Sequence, residues 1–539
     1  MLPGVTVEAS SAALIEGTKT AVTDAAGQYR VVDLRPGKYD ITFSLQGFQT
    51  LRHEGVALGA SFTATINPVL TTAAVAETIV VSGESPLVDV RTNASERSLN
   101  QELIEHVPTG RGIFTLVALV PGATFNVPDV AGSQTHQLQS VSVHGSSTND
   151  TSWRADGLDI SASLGSGGLS ATYFNQGLQQ EVSVQSKALS AEIGGGGVSI
   201  DMITKDGGNR FAGVVFLSYA NATFQADNVS SDQRARGLTA PSGVESLLDV
   251  NPSLGGPIVR DRLWFYTSYR YWKNDRLVAQ TFNTDGTQAL DEQLLTFYPS
   301  LKLTGRLNDS SRLSGFIDWN RKDRLHRRDR SGTIQFIAPE ASLFQRQYGP
   351  TANVKWTSTF SSDVLLEAGF SGEFINSRRI YQPAIAEDAV PKNDLVLTTL
   401  TGAAHPSVLV PYSISRARQW TVAASWMPTW KGQHSIRAGL QWRQMPYRTG
   451  RATDQHGDLI ARFRNGVPDS VLVHNTPVDE RYYMYDTGLF VQDSWTIKRI
   501  TMNIGTRFER FVGNIEEQRS EAGRFVPART FSAIEHVPV

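Results

Sequence analysis

Arg312-Leu313-Ser314-Gly315-Phe316-Ile317-Asp318-Trp319-Asn320 reads as a strand with two unlike faces. Successive side chains of a strand point to opposite sides of the sheet. Leu313, Gly315, Ile317 and Trp319 therefore share one face, and Arg312, Ser314, Phe316, Asp318 and Asn320 share the other. Residues 434–443 repeat the pattern, with Ile436, Ala438, Leu440 and Trp442 set against Ser435, Arg437, Gly439, Gln441 and Arg443. In 363–374, Val364, Leu366, Ala368, Phe370 and Phe374 oppose Leu365, Glu367, Gly369, Ser371 and Glu373. Phe316 and Leu365 break the alternation without erasing it. The pattern predicts a sheet with one apolar face and one polar, often charged face. A soluble sandwich and a membrane barrel both satisfy it.

The connections separate the two. Strands are predicted at 211–220, 250–258, 262–273, 293–306, 311–323, 346–358, 363–376, 413–428, 434–445, 482–496 and 500–512. Long and short connections alternate between them without a break. A sandwich has no reason to place every long loop at one end. An outer-membrane barrel does, with short periplasmic turns, long external loops, aromatic girdles and a polar lumen. Eleven is an odd number, whereas bacterial single-chain barrels use even ones, and an open sheet leaves two unpaired edges in hydrocarbon. The expectation is a partial antiparallel transmembrane β-barrel, about 11 of an expected 22 strands, the size that encloses a plugged lumen.

Composition narrows the function classes. The 539 residues carry 50 Lys+Arg against 52 Asp+Glu, a net charge of −2, which is no footprint of a nucleic-acid binder. With no cysteine, a disulfide framework, Cys-ligated zinc and thiol catalysis are excluded. No apolar run reaches the length of a membrane-spanning helix. A barrel needs none, because its apolar residues are dealt out at every second position. Met1-Leu2-Pro3-Gly4-Val5 shows no basic and apolar leader pattern, which together with the odd strand count predicts a piece of a longer protein.

Residues 1–74 read as a small β-sandwich lacking its first strand. Runs at Tyr29–Leu34, Tyr39–Leu45 and Ser61–Leu70 are separated by turn chemistry at Asp24–Gly27 and Arg35–Lys38. Residues 75–93 read as a linker. Residues 94–209 are mixed α and β: a helix over Asn100–His106 capped by Ser98, a second over Phe114–Leu119, and strands at Ser140–His144 and Glu181–Gln185. The strand-rich remainder is 210–539.

At this point the residues resemble a known family, the TonB-dependent outer-membrane receptors that carry an N-terminal carboxypeptidase-regulatory-like domain. The resemblance rests on several strings. Thr23–Arg30, Leu34–Tyr39 and Gly47-Phe48 are similar to the accessory domain. Val143-His144-Gly145 with Arg154–Asp159 is similar to the plug, and Thr204–Phe211 to the junction of plug and first barrel strand. Asn251–Ile258 with Asp261–Phe265 resembles the first barrel hairpin, and Gln492–Trp495 a mid-barrel segment. The resemblance implies a β-sandwich at 1–74, a TonB box within 75–93, an α+β plug at 94–209 and the N-terminal half of the barrel at 210–539.

It also implies residue roles. Glu77, Thr78, Ile79, Val80 and Val81 resemble a TonB box, the segment through which TonB of the inner-membrane complex delivers energy. Thr78 and the β-branched residues after it favour an extended backbone that can add to a sheet edge; the alternative is a linker or the last strand of the N-terminal module. Gly145, Asp156 and Gly157 are the plug motif. Arg321, Arg324, Arg327, Arg328 and Arg330 are candidate contacts for an anionic ligand or for lipopolysaccharide phosphates. Gly194–Gly197 lacks the Gly-Lys-Ser/Thr of a phosphate cradle and predicts close backbone approach instead. No metal, cofactor or catalytic constellation is expected. Partners are TonB, outer-membrane lipid and a small-molecule, glycan or peptide ligand. The second reading is a non-transporting adhesive or structural surface protein.

Overall fold

The structure is a computed structural model and describes residues 2–32, 34–59, 64–72, 78–82, 95–107, 109–125, 141–162, 172–187, 189–283, 285–328, 334–361, 363–451, 459–475, 478–523 and 526–538. In the N-terminal module, β1 (Thr6–Ser10), β2 (Thr18–Val22), β3 (Gly37–Ser44), β4 (Thr50–Leu58) and β5 (Thr78–Ser82) form one sheet, ordered β2-β1-β3-β4-β5. The first four pair antiparallel, and β5 joins β4 in parallel. The described parts of Tyr29–Leu34 and 61–70 are irregular, not strands. Their apolar residues are used as a cover: Tyr29, Leu34, Ile66 and Leu70 pack over the buried row Val7, Tyr39, Ile41 and Phe43. The Tyr29 hydroxyl donates to the Ile66 carbonyl at 2.8 Å, which holds the two covering segments together.

A second unit contains β6 (Ser95–Leu99), α1 (Gln101–His106), α2 (Ile113–Val117), β7 (Ala123–Phe125), β8 (Val141–Val143), β9 (Ser152–Ala155), β10 (Leu158–Asp159), β11 (Gln179–Lys187) and β12 (Ser199–Thr204). Its main sheet runs β10-β9-β12-β11-β6. Helix α1 stands where predicted, but its cap is Asn100, whose side chain accepts from the Leu103 N–H at 3.0 Å. Ser98, the expected cap, lies in β6. The core is built on fully buried Trp153, with Phe114, Leu116, Val182 and Met202, and it extends to Tyr266 and Phe316 of the large sheet. The α+β unit is thus packed against the inner face of that sheet.

The large sheet starts with β13 (Ala212–Asn221), β14 (Gly243–Val259), β15 (Leu263–Phe282), β16 (Gln288–Asn308) and β17 (Ser311–Arg327). After a loop strand, β18 (Phe336–Ile337), come β19 (Leu343–Ser361) and β20 (Val364–Tyr381). Loop strands β21 (Lys392–Asp394) and β22 (Thr399–Thr401) precede β23 (Val410–Trp426) and β24 (Ile436–Arg451). Loop strands β25 (Leu459–Arg464) and β26 (Val467–Val473) precede β27 (Val478–Ile497) and β28 (Ile500–Ile515). Then follow β29 (Gln518–Ser520), β30 (Arg529–Phe531) and β31 (Ile534–Pro538).

All neighbours in the large sheet are antiparallel, and among the described residues it has 12 strands, not the eleven expected. The twelfth is β31, which pairs with β28 through Ile515↔Ile534 and Val512↔Pro538. The sheet is open, with β13 and β31 at its edges. A second correction concerns 274–292, which reads as a loop and is instead a continued ladder, with Arg276 opposite Asp291 and Leu277 opposite Leu290. Polar residues there obscured the strand because they face the lumen. Loop strands from three separate connections assemble a small sheet, β18-β22-β21-β25-β26, on the long-loop side.

Burial in the large sheet is inverted relative to a soluble protein. Asp249, Asn251, Arg270, Lys302, Asp318, Asn320, Asn353 and Glu373 are buried, whereas Leu313, Ile317, Trp319, Val422, Leu440 and Phe508 are exposed. A polar inside and an apolar outside fit hydrocarbon as the outer solvent. The stacked pair Trp420 and Trp442, ring centroids 4.8 Å apart, lies on that outer face.

Candidate functional site

The plug motif forms a two-residue hairpin. Ala155 pairs with Leu158 across Asp156 and Gly157, whose φ values are 50° and 82°. Two consecutive left-handed residues define the turn that matches strand twist, and Asp-Gly is its preferred filling. Gly157→Ala is expected to destabilise the α+β unit by about 1–2 kcal/mol, the cost of a Cβ in that conformation, read as a lowered urea midpoint. Gly145 also has positive φ, 78°, in the turn after β8.

The turn aims Asp156 at the barrel wall. Its carboxylate accepts the Thr204 N–H at 3.0 Å, the Thr204 hydroxyl at 2.7 Å and the Lys302 ammonium at 3.0 Å. Lys302 belongs to β16, is 3% exposed, and also faces Asp206 at 3.4 Å. Asp206 in turn accepts from Thr304 at 2.6 Å and pairs with Arg35 of the N-terminal module. One ionic chain, Arg35–Asp206–Lys302–Asp156, therefore joins module, barrel and α+β unit. Burial alone would raise the Asp156 carboxyl, but Lys302 and the two Thr204 donors outweigh it and hold it below the usual aspartate range.

A carboxyl lowered on folding stabilises fully above its unfolded value, about 3.9, and loses that contribution as pH falls through the folded value. Hydrogen-exchange protection of β9 and β10, corrected for intrinsic rate, is expected to hold from neutral pH to about pH 5. It should then decline below about pH 4, and the decline should be smaller in Asp156→Asn.

A second anchor uses strands further along the same sheet, β20 and β24. Glu192 accepts a bidentate pair from Arg437 at 2.8 and 3.2 Å, and Arg437 also reaches Glu367, which pairs with Lys355 at 2.8 Å. The glycine run beside it does what its composition predicts: a Cβ on Gly197 would stand 2.5 Å from the Asp150 carbonyl oxygen.

The basic run Arg321–Arg328 divides between the two faces of the sheet. Arg321 stays on the outer face, donating twice to Asp323 at 2.9 and 2.6 Å, with Arg346 on the same carboxylate. Arg324 points inward and binds Asp291 in bidentate fashion at 2.7 and 2.6 Å, and Arg276 reaches the same carboxylate at 2.7 Å. A register shift between Arg324 and Arg327 turns Arg327 inward too, onto Gln345 at 2.7 Å. Arg328 donates to the carbonyls of Leu290, Ile337 and His326. Arg330 lies outside the described residues. Arg276, Asp291, Arg324 and Arg328 border a cavity of about 820 Å³ that also touches Leu247 and Phe336. Three guanidiniums around one carboxylate leave this vestibule cationic. Below it, Lys322 donates to the Tyr173 hydroxyl of the α+β unit at 2.9 Å.

Of the TonB-box string, Glu77 lies outside the described residues, and Thr78–Val81 are most of β5. Ile79, Val80 and Val81 are 42%, 53% and 39% exposed. Sequence reading missed Arg35, Lys302, Asp206, Glu192, Arg437 and Tyr173. Asp206 and Arg35 stood in the junction and accessory-domain strings and Arg437 on a polar strand face, but their partners, like those of the others, come from distant parts of the chain.

These features, an open antiparallel sheet whose polar face holds an α+β unit and whose short turns meet the N-terminal module, are those of the TonB-dependent receptor fold. Residues 1–71 match the carboxypeptidase regulatory-like domain and residues 297–534 an outer membrane β-barrel domain. The chain is similar to the TonB-dependent transporter Oar of Myxococcus xanthus, 28% identical over 294 residues, covering 52% of this chain and 26% of Oar. It therefore spans about a quarter of that relative's length. In fold it is similar to the outer membrane transporter YddB from Escherichia coli, with a TM-score of 0.57, 13% identity, and coverage of 79% of this chain and 61% of YddB. It is likewise similar to the siderophore receptor PirA from Acinetobacter baumannii, with a TM-score of 0.52, 13% identity, and coverage of 80% and 59%. The protein is an outer-membrane protein.

Proposed function

We propose that this chain is the N-terminal part of a TonB-dependent transporter: 1–74 the accessory module, 75–93 a linker with the TonB box, which adds to the module's sheet as its last strand, 94–209 the plug and 210–539 the first half of the barrel. It takes up a ligand bound at the external side, with energy supplied by TonB through Glu77–Val81. The observation that carries this reading is the seating of the α+β unit in a polar lumen by buried ion pairs, chiefly Lys302 with Asp156. Buried ion pairs cost desolvation and hold well only while complete, which suits a stopper that is firm at rest and yields once displaced. Residues 83–94 connect β5 to β6, an edge strand of the plug sheet, so a pull on the box acts on a strand paired on one side only. Edge strands detach with the loss of a single ladder.

The vestibule favours a ligand carrying carboxylate or phosphate groups, met by Arg276, Arg324 and Arg328 with charge-assisted bonds. Arg321 and Arg346, on the outer face, suit lipopolysaccharide phosphates instead. In the completed protein, an uptake screen in cells with and without TonB tests the transport reading; accumulation that is unaffected by TonB loss refutes it. For a ligand so found, Arg276→Gln with Arg328→Gln is expected to weaken binding about ten- to a hundredfold, the worth of one charged hydrogen bond at about 1.5–3 kcal/mol. Arg321→Glu should leave ligand affinity unchanged and lower resistance to detergents that cross a weakened lipopolysaccharide layer.

A further inference from the structure

We propose that β4 of the N-terminal module clasps the coupling segment Thr78–Ser82 in the resting protein, and that TonB engages the segment by taking the place of β4. The proposal rests on the reading of this segment as the TonB box. The contact is a parallel ladder of five residues, Thr50↔Thr78, Leu51↔Ile79, Arg52↔Val80, His53↔Val81 and Glu54↔Ser82. The hold is made of main-chain bonds. Leu51 packs on the module core, but its neighbour Ile79 is 42% exposed, and Val80 and Val81 are left outside as well. A strand held chiefly through its backbone ladder gives up little when another strand offers the same bonds. Strand exchange at this edge is therefore close to isoenergetic in side-chain terms.

The placement of the module shows why release must precede transport. Arg35 pairs with Asp206, Glu16 accepts from Arg312 at 2.9 Å, Arg30 faces Asp363 at 3.7 Å, and Gln180 donates to the Pro36 carbonyl at 3.0 Å. Arg312 and Asp363 stand at short turns of the barrel, so the module is fastened to the rim as well as to the plug. While β5 remains on β4, tension on the segment is spent on the module sheet and its rim contacts. Once β5 has left β4, the same tension passes through residues 83–94 to β6. The module thus sets the threshold for coupling.

The absence of cysteine makes the test clean, because an introduced pair forms the sole possible disulfide. Arg52→Cys/Val80→Cys and, as a second variant, His53→Cys/Val81→Cys place thiols on opposed residues. Each full chain is captured on an immobilised periplasmic domain of TonB, oxidised and then reduced. The expected result is wild-type capture when reduced, at least a tenfold loss when oxidised, and recovery after reduction. Equal capture of oxidised and reduced forms would overturn the clasp and leave the box standing, since TonB would then be adding to the outer edge of β5. Failure of both pairs to cross-link, by oxidation or by a short bismaleimide, would also overturn it. Capture of neither wild type nor reduced variants would overturn the box reading itself, and the clasp with it.

Discussion

Lys302→Ala is expected to unseat the plug, at a cost of about 3–5 kcal/mol, the usual penalty for removing one partner of a buried pair. The ammonium faces two carboxylates, Asp156 and Asp206, at 3.0 and 3.4 Å, and donates to the Thr204 hydroxyl at 2.5 Å. Without it, Asp156 keeps its Thr204 donors but loses its countercharge, in a largely buried place. Hydrogen exchange over Ser152–Asp159 should accelerate by about two to three and a half orders of magnitude, by the factor of ten per 1.4 kcal/mol that such costs imply. The double variant Lys302→Met/Asp156→Leu should recover much of the loss, because two apolar groups replace two charges. Exchange unchanged in Lys302→Ala would show that the ionic chain does not seat the plug.

Removing residues 77–81 from the completed protein is expected to abolish energised uptake while binding at the cell surface stays at the wild-type level. The segment's described residues, Thr78–Val81, pair with β4 of the N-terminal module and border neither the vestibule nor the Lys302 anchor. Its loss therefore cuts the route for force without altering the ligand site. Uptake undiminished by the deletion would end the assignment of 77–81 as the coupling element. A parallel loss of surface binding would point to misfolding instead, and Val80→Pro, which removes one ladder donor without shortening the chain, is the control.

Much of the architecture could be read from Arg312–Asn320 and its repeats, because a lumenal strand must alternate and every alternation is local. The Asp156-Gly157 turn was readable for the same reason: left-handed backbone at two positions selects those residues. The loop predicted over 274–292 failed because Asn274, Arg276 and Asp291 resemble loop residues until their partners are known. Tyr29–Leu34 failed in the opposite direction, its apolar residues covering a sheet where they seemed to extend one. The basic run looked like one patch and is two, since a register shift sends Arg327 to the face opposite Arg321.

Alternation, turn chemistry and the order of long and short connections were thus determined by the sequence alone, since each depends on residues a few positions apart. Tertiary structure alone decided that Lys302 meets Asp156 and Asp206, that Arg324 and Arg276 share Asp291, and that Thr78–Ser82 lies on Thr50–Glu54. Those pairings join residues far apart in the chain. Charge and hydrogen-bond complementarity act across space, and the sequence carries no local record of which distant strand will supply the partner.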